Sequence, residues 1–188
     1  MLVNCAGGAP PRFFSELDLE VFDKTLSTNL RSAYCPSRGV WPYLERAGGG
    51  AIVNTASISG LWAMFGLSAY GAAKAAVVNL TRTMAIEGGP AGIRVNCVAP
   101  GYALSQSSQR MINEADTPEA FQASIADQSA LGRMGSPSEL ASACLFLAST
   151  EASFITGHDL VVEGDVTLGQ LPAADPRRTP EERRMSQR

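Results

Sequence analysis

The sequence contains a single histidine, His158, and only two lysines, Lys24 and Lys74, among its 15 lysines and arginines. One histidine is too few for the histidine-rich types of zinc site, so we expect no metal centre of that kind. The four cysteines are scattered, with no Cys-x-x-Cys pair, which indicates reduced thiols rather than a disulfide framework. These features are typical of a cytoplasmic protein.

Long apolar runs and an excess of positive charge are also missing. The start, MLVNCAGG, has no basic segment, so we expect no signal peptide. The uncharged stretch 47–73 is interrupted by polar residues and glycines, which argues against a membrane span. A net charge of −3 argues against a nucleic-acid-binding surface. We therefore expect neither a membrane nor a nucleic acid among the partners.

The composition is that of a folded domain, with 188 residues of which 45% are hydrophobic and 18% charged. Four short apolar runs are predicted to be buried strands. Between these runs, apolar residues recur at helical spacing. The runs lie at 2–6, 51–55, 93–98 and 159–162. This alternation predicts an α/β fold, a parallel sheet with helices on both faces.

Two interruptions are predicted along the chain. Pro36 and Pro42 fall near the continuation of the first helix, where an interior proline costs about 3 kcal/mol, so we expect a kink or break there. From residue 169 onward, prolines and mixed charges predict a solvated tail over 169–188, with a basic binding tail as the alternative. Residues 1–168 are then expected to form one domain.

Tyr70 and Lys74 are the most informative candidate catalytic residues. Four positions apart on a helix, they share one face, and a nearby ammonium lowers the pKa of a phenol from about 10. Such a pair predicts a proton donor and acceptor that works near neutral pH. An ordinary, partly exposed helix face explains the spacing equally well. Ser57 favours the catalytic interpretation, because it follows the second strand at the carboxyl edge of the sheet, where ligands bind.

Taken together, these residues resemble the short-chain dehydrogenase/reductase family over about 2–164. The strand end Leu2-Val3-Asn4-Cys5-Ala6-Gly7 is similar to the family's Asn-Asn-Ala-Gly, with Cys5 in place of the second asparagine. Asn29 matches the family's helix asparagine. Segments similar to the nicotinamide-bordering stretch and to two late signatures follow at Pro100-Gly101 with Ser105, at 132–137 and at 154–157.

Ser57, Tyr70 and Lys74 match the family's catalytic serine and Tyr-x-x-x-Lys pair in order and spacing. The resemblance implies a three-layer Rossmann-like fold and hydride transfer between NAD or NADP and a small-molecule carbonyl or alcohol. Tyr70 would exchange a proton with the substrate oxygen, and Ser57 would hydrogen-bond that oxygen. Lys74 would lower the pKa of Tyr70 and hold the nicotinamide ribose, and Asn29 would position a water. The implied cofactor-binding residues are Asn4, Ala6, Gly7, Tyr70, Lys74, Pro100, Gly101 and Ser105.

The family's glycine-rich turn, which receives the cofactor's pyrophosphate, has no counterpart in the sequence. We therefore expect a fragment that lacks the first three strands, with an open edge on its first strand and impaired cofactor binding. A homo-oligomer is also expected. The substrate and the choice between NAD and NADP stay open.

Two other interpretations compete with the oxidoreductase. One is a non-catalytic remnant that associates with a copy of itself through the small-residue face 69–76. The other is a serine hydrolase using Ser57 or Ser68 with His158, although no Gly-x-Ser-x-Gly elbow is present. The segment 102–131 is expected to form a substrate lid with two short helices. The residues Trp62, Met64, Phe65 and Tyr102 are expected either to line a pocket or simply to pack.

Overall fold

The structure is a computed structural model that describes residues 1–167, so the predicted tail over 169–188 lies outside the described residues. The chain falls into two compact units. The first comprises Met1–Pro100 and Ser138–Val162, and the second comprises Gly101–Pro137 and, among the described residues, 163–167. The single domain over 1–168 stays a prediction.

The first unit is built on a four-stranded parallel sheet. Its strands are β1 (Leu2–Asn4), β2 (Gly50–Thr55), β3 (Ile93–Pro100) and β4 (Asp159–Val162), and they lie in that order across the sheet. Each pairing is parallel, so all four carboxyl ends meet at one edge of the sheet. The β1 strand lies at the side of this sheet and pairs with β2 alone. The predicted α/β class and the four strands are confirmed.

Helices cover both faces of the sheet, as the alternating pattern predicted. They are α1 (Leu19–Leu26), α2 (Ser32–Arg46), α3 (Ser68–Gly88) and α6 (Pro137–Ala148). On one face, Met84 of α3 packs with Ile52 and Val95 of the sheet. On the other, Leu147 of α6 packs against Val53. The buried strands are apolar on both sides because both sides contact helices.

The small-residue face predicted over 69–76 points partly inward. Ala69 and Ala73 are buried in the first unit, whereas Ala72 and Ala75 are exposed. Ala73 takes part in the packing of α3 against the core, since no part of its surface reaches solvent. Only the outer half of the face over 69–76 is open to a second copy of the chain, and self-association through it stays a prediction.

The break in the first helical region lies upstream of both prolines. Pro36 and Pro42 lie inside the unbroken helix α2, whereas a π-helical segment at Ser27–Arg31 stands between α1 and α2. Within it, the Nδ2 of Asn29 donates a hydrogen bond to the Thr25 carbonyl at 2.9 Å. The predicted position was wrong because the asparagine side chain, and not a proline ring, accompanies the change in helical hydrogen bonding.

The second unit contains the two short helices that the sequence predicted between residues 102 and 131. They are α4 (Gln106–Asn113) and α5 (Pro118–Ala126). Its small core joins Ile112, Ile125 and Met134, and Tyr102 packs against them. Tyr102 therefore has a packing role in this unit. Among residues 1–167, no helix is long and apolar enough to cross a membrane.

Candidate active site

Ser57 begins a short loop after β2 that lies directly on helix α3. The serine is buried, and its Oγ accepts a hydrogen bond from the Ser59 amide at 3.2 Å. A Cβ added to Gly60 would lie 2.6 Å from the Lys74 carbonyl carbon, and one added to Gly71 would lie 2.8 Å from the Ser59 oxygen. The two glycines thus let the main chain of the loop pack against the main chain of α3.

Tyr70 lies in the first turn of α3 and faces this loop. Ser57 stands close enough for a hydrogen-bonding interaction that lowers the pKa of the phenol, but burial raises that pKa and outweighs the serine. The net pKa of Tyr70 is therefore raised. The expectation that Lys74 lowers it was wrong for this structure, because removal of the phenol from water dominates its ionisation.

Lys74 lies one turn further along α3, with 3% of its surface exposed. Its Nζ donates a hydrogen bond to the Thr55 carbonyl at 2.7 Å and lies 5.6 Å from the centre of the Tyr70 ring. Burial lowers the pKa of Lys74 to about 8, against a smaller, opposing effect of the thiols of Cys97 and Cys5. At neutral pH the buried Lys74 side chain is therefore mostly protonated.

Asn29 joins the site through the loop that follows β1. Its Oδ1 accepts the Gly8 amide at 2.8 Å, and its Nδ2 donates to the Gly8 carbonyl at 3.0 Å. Gly7 has φ +153, and a Cβ there would lie 2.6 Å from Asn29 Oδ1 and 3.3 Å from Lys74 Nζ. Only glycine leaves room for these two polar groups to converge beneath the loop.

This arrangement suits a ligand that bears hydroxyl groups. The ammonium of Lys74 has one main-chain acceptor, which leaves two of its three donors available. Beside it, the backbone of Gly8 is open, since a Cβ there would contact nothing within 4 Å. A ribose and an attached flat ring can approach such a surface closely. The residues present thus fit the nicotinamide half of a dinucleotide.

Asn4 does not join the site. Its Nδ2 donates to the Ala33 carbonyl at 3.2 Å, to Ser37 Oγ at 2.9 Å and to Asn54 Oδ1 at 2.8 Å. Asn54 in turn donates to Thr81 Oγ1 at 2.9 Å, which continues a buried polar network beneath α2 and α3. Structural hydrogen bonds thus engage the amide nitrogen of Asn4, and its cofactor contact stays a prediction.

The remaining predicted cofactor residues lie along the chain on both sides of the boundary between the units. Ala6 follows β1 directly, and Pro100 ends β3. Gly101 and Ser105 belong to the second unit. There Ser105 caps α4, since its Oγ accepts the Ser108 amide at 3.1 Å. Cofactor contacts of Ala6, Pro100, Gly101 and Ser105 stay predictions.

The structure separates the residues of the hydrolase alternative. His158 precedes β4, and its amide donates to the Asn96 side chain at 3.0 Å. Ser57 follows the end of β2, and Ser68 begins α3 after the same strand. The register places Asp159, the first residue of β4, level with Cys97 of β3 and Asn54 of β2, so His158 is separated from β2 by the intervening strand β3. Within residues 1–167 no hydrogen bond joins the His158 side chain to Ser57 or Ser68, so the structure lends the hydrolase alternative no support.

Comparison with known proteins shows what the chain is similar to. A family model described as enoyl-(acyl carrier protein) reductase matches residues 1–167. The chain is 39% identical to 7alpha-hydroxysteroid dehydrogenase of Bacteroides fragilis over 171 residues, covering 89% of this chain and 64% of that protein. It is 36% identical to dehydrogenase/reductase SDR family member 4 of Homo sapiens over 156 residues, covering 82% of this chain and 55% of that protein.

Among solved structures, the chain is similar to one titled "ElxO with NADP Bound", with a TM-score of 0.81 and 31% identity. That match covers 88% of this chain and 66% of the other. The chain thus spans less than two thirds of the length of the curated relatives named above. The family model nevertheless matches residues 1–167 of the 188 in this chain. On these grounds the chain belongs to the short-chain dehydrogenase/reductase family.

Proposed function

We propose that this chain carries the proton-transfer site of a nicotinamide-dependent oxidoreductase that interconverts an alcohol and a carbonyl. One observation carries the proposal: Ser57, Tyr70 and Lys74 converge at the carboxyl end of the sheet, with Lys74 Nζ 5.6 Å from the Tyr70 ring centre. The names of the relatives, which include a hydroxysteroid dehydrogenase, agree with this reaction class.

In the reductive direction, Tyr70 donates its phenolic proton to the carbonyl oxygen of the substrate. Its raised pKa keeps the phenol protonated at neutral pH, which is the form that this step requires. Ser57 donates a hydrogen bond to the same oxygen and stabilises the negative charge that develops there. In the oxidative direction, the Tyr70 oxygen accepts the proton of the substrate hydroxyl. The rate of oxidation is therefore expected to rise with pH.

Lys74 holds the ribose of the cofactor through the donors that the Thr55 carbonyl leaves free, and Asn29 keeps the Gly7–Gly8 loop in place above it. A bound nicotinamide supplies hydride transfer to or from the substrate carbon. The buried ammonium also provides a fixed positive charge close to the phenol. Ser57, Tyr70, Lys74 and Asn29 are therefore the proposed catalytic and positioning residues.

Cofactor affinity is expected to be low for the 188-residue chain. It contains no glycine-rich turn, and each missing hydrogen bond to a charged pyrophosphate removes about 1.5–3 kcal/mol of binding free energy. The direct test measures the melting temperature of the chain with NADH or NADPH at millimolar concentration. A rise supports the proposal and also distinguishes the two cofactors. An unchanged melting temperature with both would contradict autonomous cofactor binding and favour the non-catalytic remnant.

We also propose that the chain acts in the cytoplasm as a homo-oligomer. Apolar side chains on and just after α6 support the oligomer, since Leu145 is 65%, Phe146 42% and Phe154 102% exposed. Such a patch favours association, because burying it removes apolar surface from water. Sedimentation velocity of the chain and of Phe154→Ser tests this. A monomer at all concentrations would contradict it.

A further inference from the structure

A cavity of about 610 Å³ lies within the first unit, where the strands of the sheet begin. Gly50, at the start of β2, and Ile93, at the start of β3, both line it. The proposed catalytic residues lie at the carboxyl end of the sheet, and β2 places about 17 Å of strand between Gly50 and Thr55. The cavity is therefore separate from the site of proton transfer.

Among the described residues that line this cavity, Arg94 has the only charged side chain. Its Nη1 donates to the Leu147 carbonyl at 2.9 Å and to the Ile155 carbonyl at 3.2 Å. Its Nη2 donates to the Ser149 carbonyl at 2.9 Å. These main-chain acceptors, at the end of α6 and in the segment before β4, hold the guanidinium in one orientation.

The positive charge of Arg94 has no carboxylate partner, since the side chain forms no ion pair within residues 1–167. A guanidinium carries five N–H donors, and the main-chain carbonyls take three of them. The Nε–H and one Nη2–H are therefore left without an acceptor. Two N–H groups of a guanidinium are a suitable pair of donors for an oxyanion, because they can contact two of its oxygens together.

Hydroxyl groups on the wall of the cavity provide further donors. Thr150 and Ser153 line it with exposed side chains, and neither hydroxyl makes a hydrogen bond within residues 1–167. Thr156 Oγ1 accepts the Val95 amide at 3.1 Å, and its own proton is not donated to any residue in that range. The hydroxyls thus add up to three donors to the two of the guanidinium.

The rest of the wall is small and leaves room for a ligand. It includes three glycines and two alanines: Gly50, Ala51, Gly89, Gly92 and Ala148. At Gly89 even an added Cβ would meet nothing within 4 Å. The volume lies in the range of about 300–1,000 Å³ that is usual for small-molecule sites.

We propose that this cavity binds a small molecule through a phosphate group, held by Arg94 and by the hydroxyls of Thr150 and Ser153. A phosphate is favoured over a carboxylate because it offers three acceptor oxygens, and not two, to this set of donors. The group is the same whether it is free or carried by an ester. The proposal does not depend on the proposed function, since no residue of the cavity takes part in proton transfer.

Binding is measured by titration of the ¹⁵N-labelled chain, following backbone amide shifts in NMR spectra. The probes are inorganic phosphate, glycerol 3-phosphate and, as the carboxylate control, acetate, all at one ionic strength. We expect both phosphate probes to shift the amides of Gly92 and Thr150, with an apparent Kd at least tenfold lower than that of acetate. A lower Kd for the ester than for inorganic phosphate identifies an ester as the ligand, and the reverse order identifies free phosphate.

The hydroxyls allow a variant that leaves the fold intact. Arg94→Gln should abolish phosphate binding, but it also removes the contacts to α6 and can unfold this end of the chain. The double variant Thr150→Val with Ser153→Ala loses no hydrogen bond within residues 1–167. We expect it to raise the Kd for phosphate at least fivefold without a change in the melting temperature of the free chain. Ser107→Ala, an exposed serine on α4, is the matched control and should keep the Kd.

Four results would overturn the assignment, and each would leave Arg94 as a structural contact of α6 alone. Amide shifts confined to Gly7 and Gly8 would place the anion beside Lys74 and not in this cavity. Acetate binding as tight as phosphate would remove the preference for a phosphate group. The absence of shifts at tens of millimolar phosphate, or an unchanged Kd in the double variant, would contradict binding by these residues.

Discussion

The ammonium of Lys74 lies one helical turn from Tyr70, 5.6 Å from the ring centre, yet the pKa of the phenol is raised. Tyr70 is partly buried and Lys74 is buried, and burial disfavours the charged form of each: the phenolate of Tyr70 and the ammonium of Lys74. The site therefore presents a protonated phenol beside an ammonium whose pKa is lowered to about 8. A protonated phenol is the form that the proposed donation of a proton to a carbonyl requires at neutral pH.

The buried ammonium costs the folded state stability, and replacing Lys74 by methionine should reveal that cost. The pKa of Lys74 falls from 10.5 to about 8 on folding, a difference that corresponds to about 3 kcal/mol at neutral pH. Between these two pH values the unfolded chain binds the extra proton, so the stability of the wild type rises with pH. We expect Lys74→Met to melt higher than the wild type at pH 7.

This advantage should shrink steadily as the pH is raised from 7 to 10, because only the wild type gains stability there. Differential scanning calorimetry across that range measures it. Lys24→Met removes the other lysine, which is exposed on α1, and serves as the control. If the melting temperatures of the wild type and Lys74→Met differed by the same amount at every pH, the pKa of Lys74 would not be lowered in the folded chain.

Gly7 and Gly8 offer a matched test of the loop above Lys74. Both have positive φ, +153 and +143, so alanine strains either position. Only at Gly7 would the new Cβ also collide with Asn29 Oδ1, at 2.6 Å. We expect Gly7→Ala to lower cofactor affinity at least tenfold relative to Gly8→Ala, as measured by the cofactor-induced shift in melting temperature. Similar shifts for both variants would mean that the loop does not adjoin the cofactor.

The packing of the Ser57 loop on α3 predicts opposite effects for two helical glycines. At Gly39 in α2 a Cβ meets nothing within 4 Å, so alanine should stabilise the chain by about 0.5–1 kcal/mol. At Gly71 in α3 the Cβ would lie 2.8 Å from the Ser59 carbonyl oxygen, so alanine should destabilise it by about 1–3 kcal/mol. Urea denaturation of both variants measures this. Stabilisation by Gly71→Ala would contradict the close contact.

Much of the fold could be predicted because its signals are local. Short apolar runs bounded by glycines identified all four strands. The face shared by Tyr70 and Lys74 follows from the helical period alone. The Asp18 side chain caps the start of α1, since its Oδ1 accepts a hydrogen bond from the Val21 amide.

The features that were missed depend on tertiary packing. Neither the short contacts at Gly60 and Gly71 nor the hydrogen bond from Lys74 to Thr55 leaves a local pattern, since each joins separate elements. The raised pKa of Tyr70 likewise depends on how much of the phenol the fold covers. The available sequence signal was a glycine in the loop, Gly60, and a glycine in the facing helix, Gly71. These glycines indicate close packing only once the loop and the helix are known to be in contact.

The central claim is that Tyr70 transfers the proton during turnover. The most direct measurement compares reduction rates of the wild type, Tyr70→Phe and Tyr34→Phe with saturating NADPH or NADH and one carbonyl substrate. Tyr34, half exposed on α2, is the matched control. The account predicts that Tyr70→Phe lowers kcat about 10²- to 10⁴-fold, while Tyr34→Phe stays within about twofold of the wild type. A Tyr70→Phe variant with the wild-type rate would contradict it.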